Sequence, residues 1–186
     1  MSKDLIRHIL NKIELKNGQK LILRKPIIED AEKMVEYLNI VGAESDNLLF
    51  GKDEFRLTAE QEMEHIKNIS KDVNIIMILG IINNNIVSIA QISSPSKRRI
   101  AHNSEVAISV RKDYWRSGIG SNVMAQLIRL AKERGTIKNI SLGVKANNKG
   151  AIIMYEKFGF RRVGVHRDYF NVDGVYYDEI LMDLYI

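Results

Sequence analysis

The chain of 186 residues contains no cysteine, which removes disulfides, thiolate metal sites and a cysteine nucleophile at once. It also has no long apolar run. The opening Met1-Ser-Lys-Asp-Leu-Ile-Arg-His8 carries charge where a signal peptide needs an apolar stretch, and no segment approaches the length of a membrane span. Residence in the cytoplasm, away from membranes, is therefore expected. Charge of one sign is not massed either: 28 Lys and Arg against 23 Asp and Glu leave a formal +5, scattered along the chain. The densest basic cluster, Lys97-Arg98-Arg99, is short and lacks neighbouring aromatics, which reads as a solvated loop and argues against a nucleic-acid partner. Internal repeats and low-complexity segments are absent, and no metal site is expected.

What is present is an ordinary globular composition, 45% hydrophobic, at a length that suits one domain over 1–186, with residues 1–18 as an N-terminal extension. Lys20–Arg24 reads as a short strand closed by Pro26, and Ala31, Met34, Val35 and Leu38 recur at helical spacing after the acidic first turn Glu29-Asp30. Residues 39–57 read as a loop with room for a short helix. Thr58-Ala-Glu-Gln61 has the form of a capping box and predicts a helix to about Lys71 with Met63, Ile66 and Ile69 inward. The β-branched runs 74–82 and 86–92, joined by Asn83-Asn84-Asn85, predict a hairpin. Strands are expected at 105–110 and 140–144, and Arg161–Phe170 and Val175–Tyr185 should pair across the Asp173-Gly174 turn. Helices are expected from Gly120 to Gly135, with Val123, Met124, Leu127, Ile128 and Ala131 inward, and from an Asn148 cap to Gly159, with Met154, Phe158 and Phe160 in the core. The order predicts an α/β (α+β) fold: a mixed sheet with helices packed on it.

Chemistry concentrates in Ser109-Val-Arg-Lys-Asp-Tyr-Trp-Arg-Ser-Gly-Ile-Gly-Ser121, where a strand passes through a glycine turn into an amphipathic helix. Gly118 and Gly120 have no Cβ to obstruct an anion, the first N–H groups of the helix have no partner within it, and Arg116 adds fixed positive charge, so the turn suits phosphate. A dinucleotide site is disfavoured, because the third glycine of that pattern is missing.

The string Tyr114-Trp-Arg-Ser-Gly-Ile-Gly120, then a helix, a strand, and Asn148-x-x-Ala-x-x-x-Tyr-Glu-Lys-x-Gly-Phe160, resembles the GNAT superfamily of acyl-CoA-dependent N-acetyltransferases, nearest in look to the ribosomal-protein N-terminal acetylating (Rim-type) branch. The resemblance spans residues 20–185. It implies a mostly antiparallel sheet of about seven strands with helices on both faces and its fourth and fifth strands splayed. It further implies acetyl-CoA as cosubstrate, with the diphosphate on the backbone of Arg116, Ser117, Gly118, Ile119, Gly120 and Ser121 and the pantetheine arm lying like an added strand along Ile108, Ser109 and Val110. Asn148 matches the asparagine that hydrogen-bonds the cofactor. Tyr155 matches the tyrosine that returns a proton to the departing thiolate. The Val110 N–H is a candidate donor to the carbonyl oxygen as charge builds there.

Two positions depart from the pattern. Trp115 stands where the family most often has Gln or Arg, and Gly143 stands where the Rim-type branch commonly has a glutamate base. Glu105, on the strand leading to the cofactor and in phase with Ala107 and Ser109, is the replacement candidate, with a water relay as the other route and His102 as a weaker contender. The expected acceptor is an amine on a small molecule, or on a protein or peptide, and the protein is expected to be a monomer or homodimer. The competing reading is a non-catalytic CoA or peptide-binding sensor, motivated by the missing base at Gly143.

Overall fold

The computed structural model describes residues 7–186. Among the described residues, eight strands form one sheet: β1 (Ile9–Glu14), β2 (Lys20–Arg24), β3 (Ile75–Ile82), β4 (Asn85–Ser93), β5 (Asn103–Val110), β6 (Asn139–Lys145), β7 (Arg161–Val172) and β8 (Val175–Tyr185). Their order is β1-β2-β3-β4-β5-β6-β8-β7. The ladders β1–β2, β2–β3, β6–β8 and β7–β8 are antiparallel, while β5 and β6 run parallel. Four α-helices join them among the described residues: α1 (Ala31–Glu44), α2 (Ala59–Lys71), α3 (Ile119–Arg134) and α4 (Lys149–Lys157). The chain divides into two compact units, one running to Gln91 and including Ile108–Leu127, the other comprising Ile92–Ala107 and Ile128–Ile186.

In the first unit, Ala31, Met34, Tyr37 and Val41 of α1 and Ile66 of α2 pack with Leu79, Ile81, Ile86 and Ile89 of the β3–β4 strands. The capping box of α2 forms as expected, with the Gln61 N–H donating to Thr58 Oγ1 and the Thr58 N–H to Gln61 Oε1. Helix α1 runs on to Glu44, which corrects the loop expected from residue 39. Strand β1 is also additional to the seven expected and lies within the segment assigned as an extension. It is legible only afterwards, because an irregularity between Ile9 and Asn11 breaks the period-two alternation by which a strand is recognised. The Asn17-Gly18 turn connects β1 to β2, with the Gly18 N–H donating to Leu15 O.

A buried ion pair sets the exit from β2. Arg24 reaches Asp30 with both terminal nitrogens at 2.6 Å, and the same carboxylate accepts the Ile27 N–H at 2.8 Å. Both side chains are only 7% exposed, so removing one leaves the other charge buried without its partner. Asp30→Ala is expected to cost about 3–5 kcal/mol of stability, read from the urea midpoint at unchanged m-value.

In the second unit, β6 and β8 pair over seven residues, from Asn139↔Tyr185 to Lys145↔Glu179. The β7–β8 hairpin closes at Asp173 and Gly174, both with positive φ, as the Asp-Gly signal predicts. The parallel β5–β6 ladder consists of three rungs, Asn103↔Asn139 through Glu105↔Ser141, and stops there.

Candidate active site

Strand β5 ends at Val110 and a short 3-10 turn, Lys112–Tyr114, leads into the glycine turn. Glu44 at the end of α1 anchors this connection: one oxygen meets Arg111 Nη2 at 3.3 Å and the other accepts the Lys112 N–H at 2.8 Å. The Trp115 indole N–H donates to Val110 O at 2.8 Å. Trp115 thus ties strand to turn instead of supplying a polar contact to a ligand. The hydroxyl of Ser117 donates to Tyr114 O, and the carbonyl of Gly118 accepts both the N–H and the side-chain amide of Asn122.

Arg116 and Gly118 both lie in the left-handed region, with φ of 61° and 89°. That alternation turns successive N–H groups toward one side, forming a concavity suited to an anion. Helix α3 begins immediately afterwards at Ile119. The first N–H groups of that helix have no intrahelical acceptor, and the dipole places partial positive charge at its tip. Arg116 is exposed and has no ion-pair partner among the described residues, in contrast to Arg111. Arg116, Ser117, Gly118, Ile119, Gly120 and Ser121 are therefore brought together in one strand–turn–helix, and their donor set fits a diphosphate.

The strand before the turn is fixed from inside. Ser109 Oγ bonds the Tyr37 hydroxyl at 2.9 Å, and Ser109 O accepts the Ser88 hydroxyl at 2.8 Å. Burial pushes the Tyr37 hydroxyl well above the usual phenol range, so it acts only as a neutral hydrogen-bonding group. The carbonyls of Ser109 and Val110 each already hold one donor, a difference from the expectation that this segment is free; a carbonyl oxygen retains a second lone pair for a strand-like ligand. Ile108, Ser109 and Val110 are all half-buried.

The other expected residues belong to the second unit. Asn148 caps α4, its Oδ1 accepting the Ala151 N–H at 3.3 Å. Tyr155 lies one face into that helix at 7% exposure, its ring tilted against Phe160 at 5.7 Å between centroids. Desolvation pushes its hydroxyl up to about 12. Phe160 is buried, whereas Met154 and Phe158 are half-buried. Glu105 is exposed, and His102 contributes its backbone carbonyl, which accepts the N–H groups of Lys138 and Asn139.

Glu105 does face a cavity of about 650 Å³, whose walls include Ser141, Gly143, His166, Glu179 and Asp183. Glu179 is buried although it carries a carboxylate, and its Oε2 bonds His166 Nδ1 at 2.9 Å. Sequence reasoning missed both residues. Their one signal was the glycine at 143 inside an otherwise side-chain-bearing strand.

Comparison with known proteins agrees with this geometry. Residues 46–160, more than half of the chain, match the model of the acetyltransferase (GNAT) family. The [ribosomal protein bS18]-alanine N-acetyltransferase of Escherichia coli K12 is 35% identical over 77 residues, 41% of this chain and 51% of that protein. The chain thus spans about half the length of the curated relatives it matches. Among solved structures, a GNAT-family acetyltransferase from Streptococcus pneumoniae superposes with a TM-score of 0.86 at 28% identity, covering 89% of this chain and 99% of that one. The Salmonella typhimurium protein yncA, solved with its cofactor acetyl-CoA, has a TM-score of 0.77 at 14% identity over 89% of this chain and 93% of that one, a likeness of fold alone. By the family match and by the strand, turn and helix that carry its motif, the chain belongs to the GNAT acetyltransferase family.

Proposed function

We propose that the protein transfers the acetyl group of acetyl-CoA to a primary amine by direct attack. The observation that carries this reading is the turn at 116–121, where an exposed arginine and a left-handed glycine precede the open tip of α3. The Salmonella relative in fold holds acetyl-CoA as its cofactor, and a diphosphate of that kind is the anion this turn suits. Arg116 supplies charge, the N–H groups of Gly118 to Ser121 bind, and Asn148 contributes its side-chain amide. The pantetheine arm runs along Ile108 to Val110, where the Val110 N–H stabilises the developing oxyanion. Tyr155, protonated throughout the neutral range because its hydroxyl is buried, returns a proton to the leaving thiolate.

The acceptor class favoured is a protein or peptide amine, since the Escherichia coli relative acts on the alanine of a ribosomal protein. Calorimetry with acetyl-CoA, and thiol release with alanine-initiated peptides, lysine peptides and a polyamine, test the proposal together. Saturable acetyl-CoA binding with thiol release dependent on an amine is expected. Failure to bind acetyl-CoA at high micromolar concentration overturns it.

A further inference from the structure

Gly143 lies on β6 and Glu179 on β8, offset from each other by two residues in the antiparallel register, where Gly143 opposes Leu181 and Lys145 opposes Glu179. Such diagonal neighbours share a face of the sheet. A Cβ at position 143 would overlap Oε1 of Glu179, and would lie 2.5 Å from its carboxyl carbon and 3.1 Å from its Cγ. The carboxylate therefore occupies the space in which any side chain at 143 would start. The glycine there makes room for a group arriving from the next strand.

That carboxylate is in an unusual situation for a surface domain. Its side chain is only 10% exposed, and among the described residues its one side-chain partner is the ring of His166, itself 55% exposed. Lys145, its register partner, is turned instead over the Tyr177 ring, Nζ lying 3.8 Å from the centroid. A buried carboxylate held through one oxygen has its other oxygen to offer, and a cation is the ligand that offsets its desolvation. The titratable groups around the cavity are Glu105 from β5, His166 and Tyr169 from β7, and Glu179 and Asp183 from β8. Three acids and one histidine favour a cationic guest, and an acceptor amine arrives almost wholly as ammonium at neutral pH.

We infer that Glu179, reaching over Gly143 and positioned by His166, is the base that deprotonates the acceptor ammonium. This rests on the acetyltransferase reading and assigns within it the role that Glu105 was expected to fill. The ammonium gives one proton to Glu179 Oε1, and the freed lone pair forms the C–N bond at the acetyl carbonyl. The C–S bond breaks with its electron pair on sulfur, and the thiolate takes a proton from Tyr155, which is restored by the second proton lost from nitrogen. Glu179 passes its proton to solvent beside the exposed His166. The sum is ammonium plus thioester giving amide, thiol and one released proton. His166 is a positioning residue: a donating Nδ1–H fixes Oε2 and leaves Oε1 aimed over the glycine.

The test uses the full chain with acetyl-CoA and an alanine-initiated peptide. Glu179→Gln is expected to lower kcat about 100-fold at pH 7 without changing acetyl-CoA affinity by calorimetry. Its rate should climb about tenfold per pH unit below the α-amine's pKa of about 8 and level off above it, because only the pre-existing free amine reacts. His166→Ala should lower kcat with little change in the KM for acetyl-CoA and shift the acidic limb of the profile. His166→Asn, whose amide can donate from the place of Nδ1, should restore much of the loss, and these two variants decide the matter if Glu179→Gln fails to fold. Glu105→Gln, which removes one acid from the cavity wall, is expected to raise the KM for the peptide while keeping the parent's pH profile. A Glu179→Gln enzyme within twofold of the parent and with the parent's pH profile overturns the inference while leaving the acetyltransferase reading intact. A parent that binds acetyl-CoA and acetylates none of the amines overturns both.

Discussion

Gly118→Val is expected to abolish measurable acetyl-CoA binding while leaving a folded protein. The glycine sits at φ 89°, where a β-branched residue is strained, yet a Cβ there would meet nothing closer than Asn122 Nδ2 at 3.8 Å. The folded state therefore loses only the backbone preference, about 1–2 kcal/mol, or relieves it by rotating the turn. Either outcome disturbs the N–H groups that the positive φ aims at the anion. Losing two charge-assisted bonds of about 1.5–3 kcal/mol each implies a fall in affinity of about 100-fold or more. Gly135→Val is the control, since Gly135 ends α3 at φ 72° with open space around its Cβ. It should show a similar drop in Tm and an unchanged Kd for acetyl-CoA. Equal Kd values for the parent and Gly118→Val would remove the diphosphate from this turn.

Most of this framework was legible in the sequence because it rests on local rules. The capping box at Thr58, the Asp173-Gly174 turn and the apolar stripe of α3 each obey a period or a backbone preference that needs no knowledge of the rest of the chain. The glycine turn was legible for the same reason: two glycines and a basic residue at a strand-to-helix transition carry their own stereochemistry. Other features depend on partners distant in sequence. Glu44 holds Lys112 and Arg111 from 68 and 67 residues away, and nothing near Glu44 announces that contact. Trp115 could be recognised as a departure, but that its indole donates to Val110 O follows only from the fold of the turn. The same limit applies to Glu179. Gly143 could be read as a missing side chain, but identifying what fills the gap requires the register of β6 against β8, set by two long strands pairing over seven residues.

Removing only the hydroxyl in Tyr155→Phe should lower kcat by about 10³-fold and leave acetyl-CoA affinity and thermal stability close to the parent's. The ring contact with Phe160 survives the change, and the hydroxyl has no hydrogen-bond partner among the described residues to orphan. The pH dependence separates this role from simple packing. Burial raises the folded hydroxyl to about 12 from the ordinary 10.0, so the phenol remains protonated across any practical assay, and an alkaline loss of activity below pH 10 has to come from another group. The stability consequence has a definite sign. Because the folded value exceeds the unfolded one, the buried neutral phenol contributes fully below pH 10, and its contribution, on the order of 2–3 kcal/mol, is lost as pH rises from 10 through about 12. The phenylalanine variant has no proton to lose, so its stability should fall less steeply than the parent's over that window. If the two unfolding curves remain parallel from pH 9 to about 12, the hydroxyl is not held in the dry environment that raises its pKa.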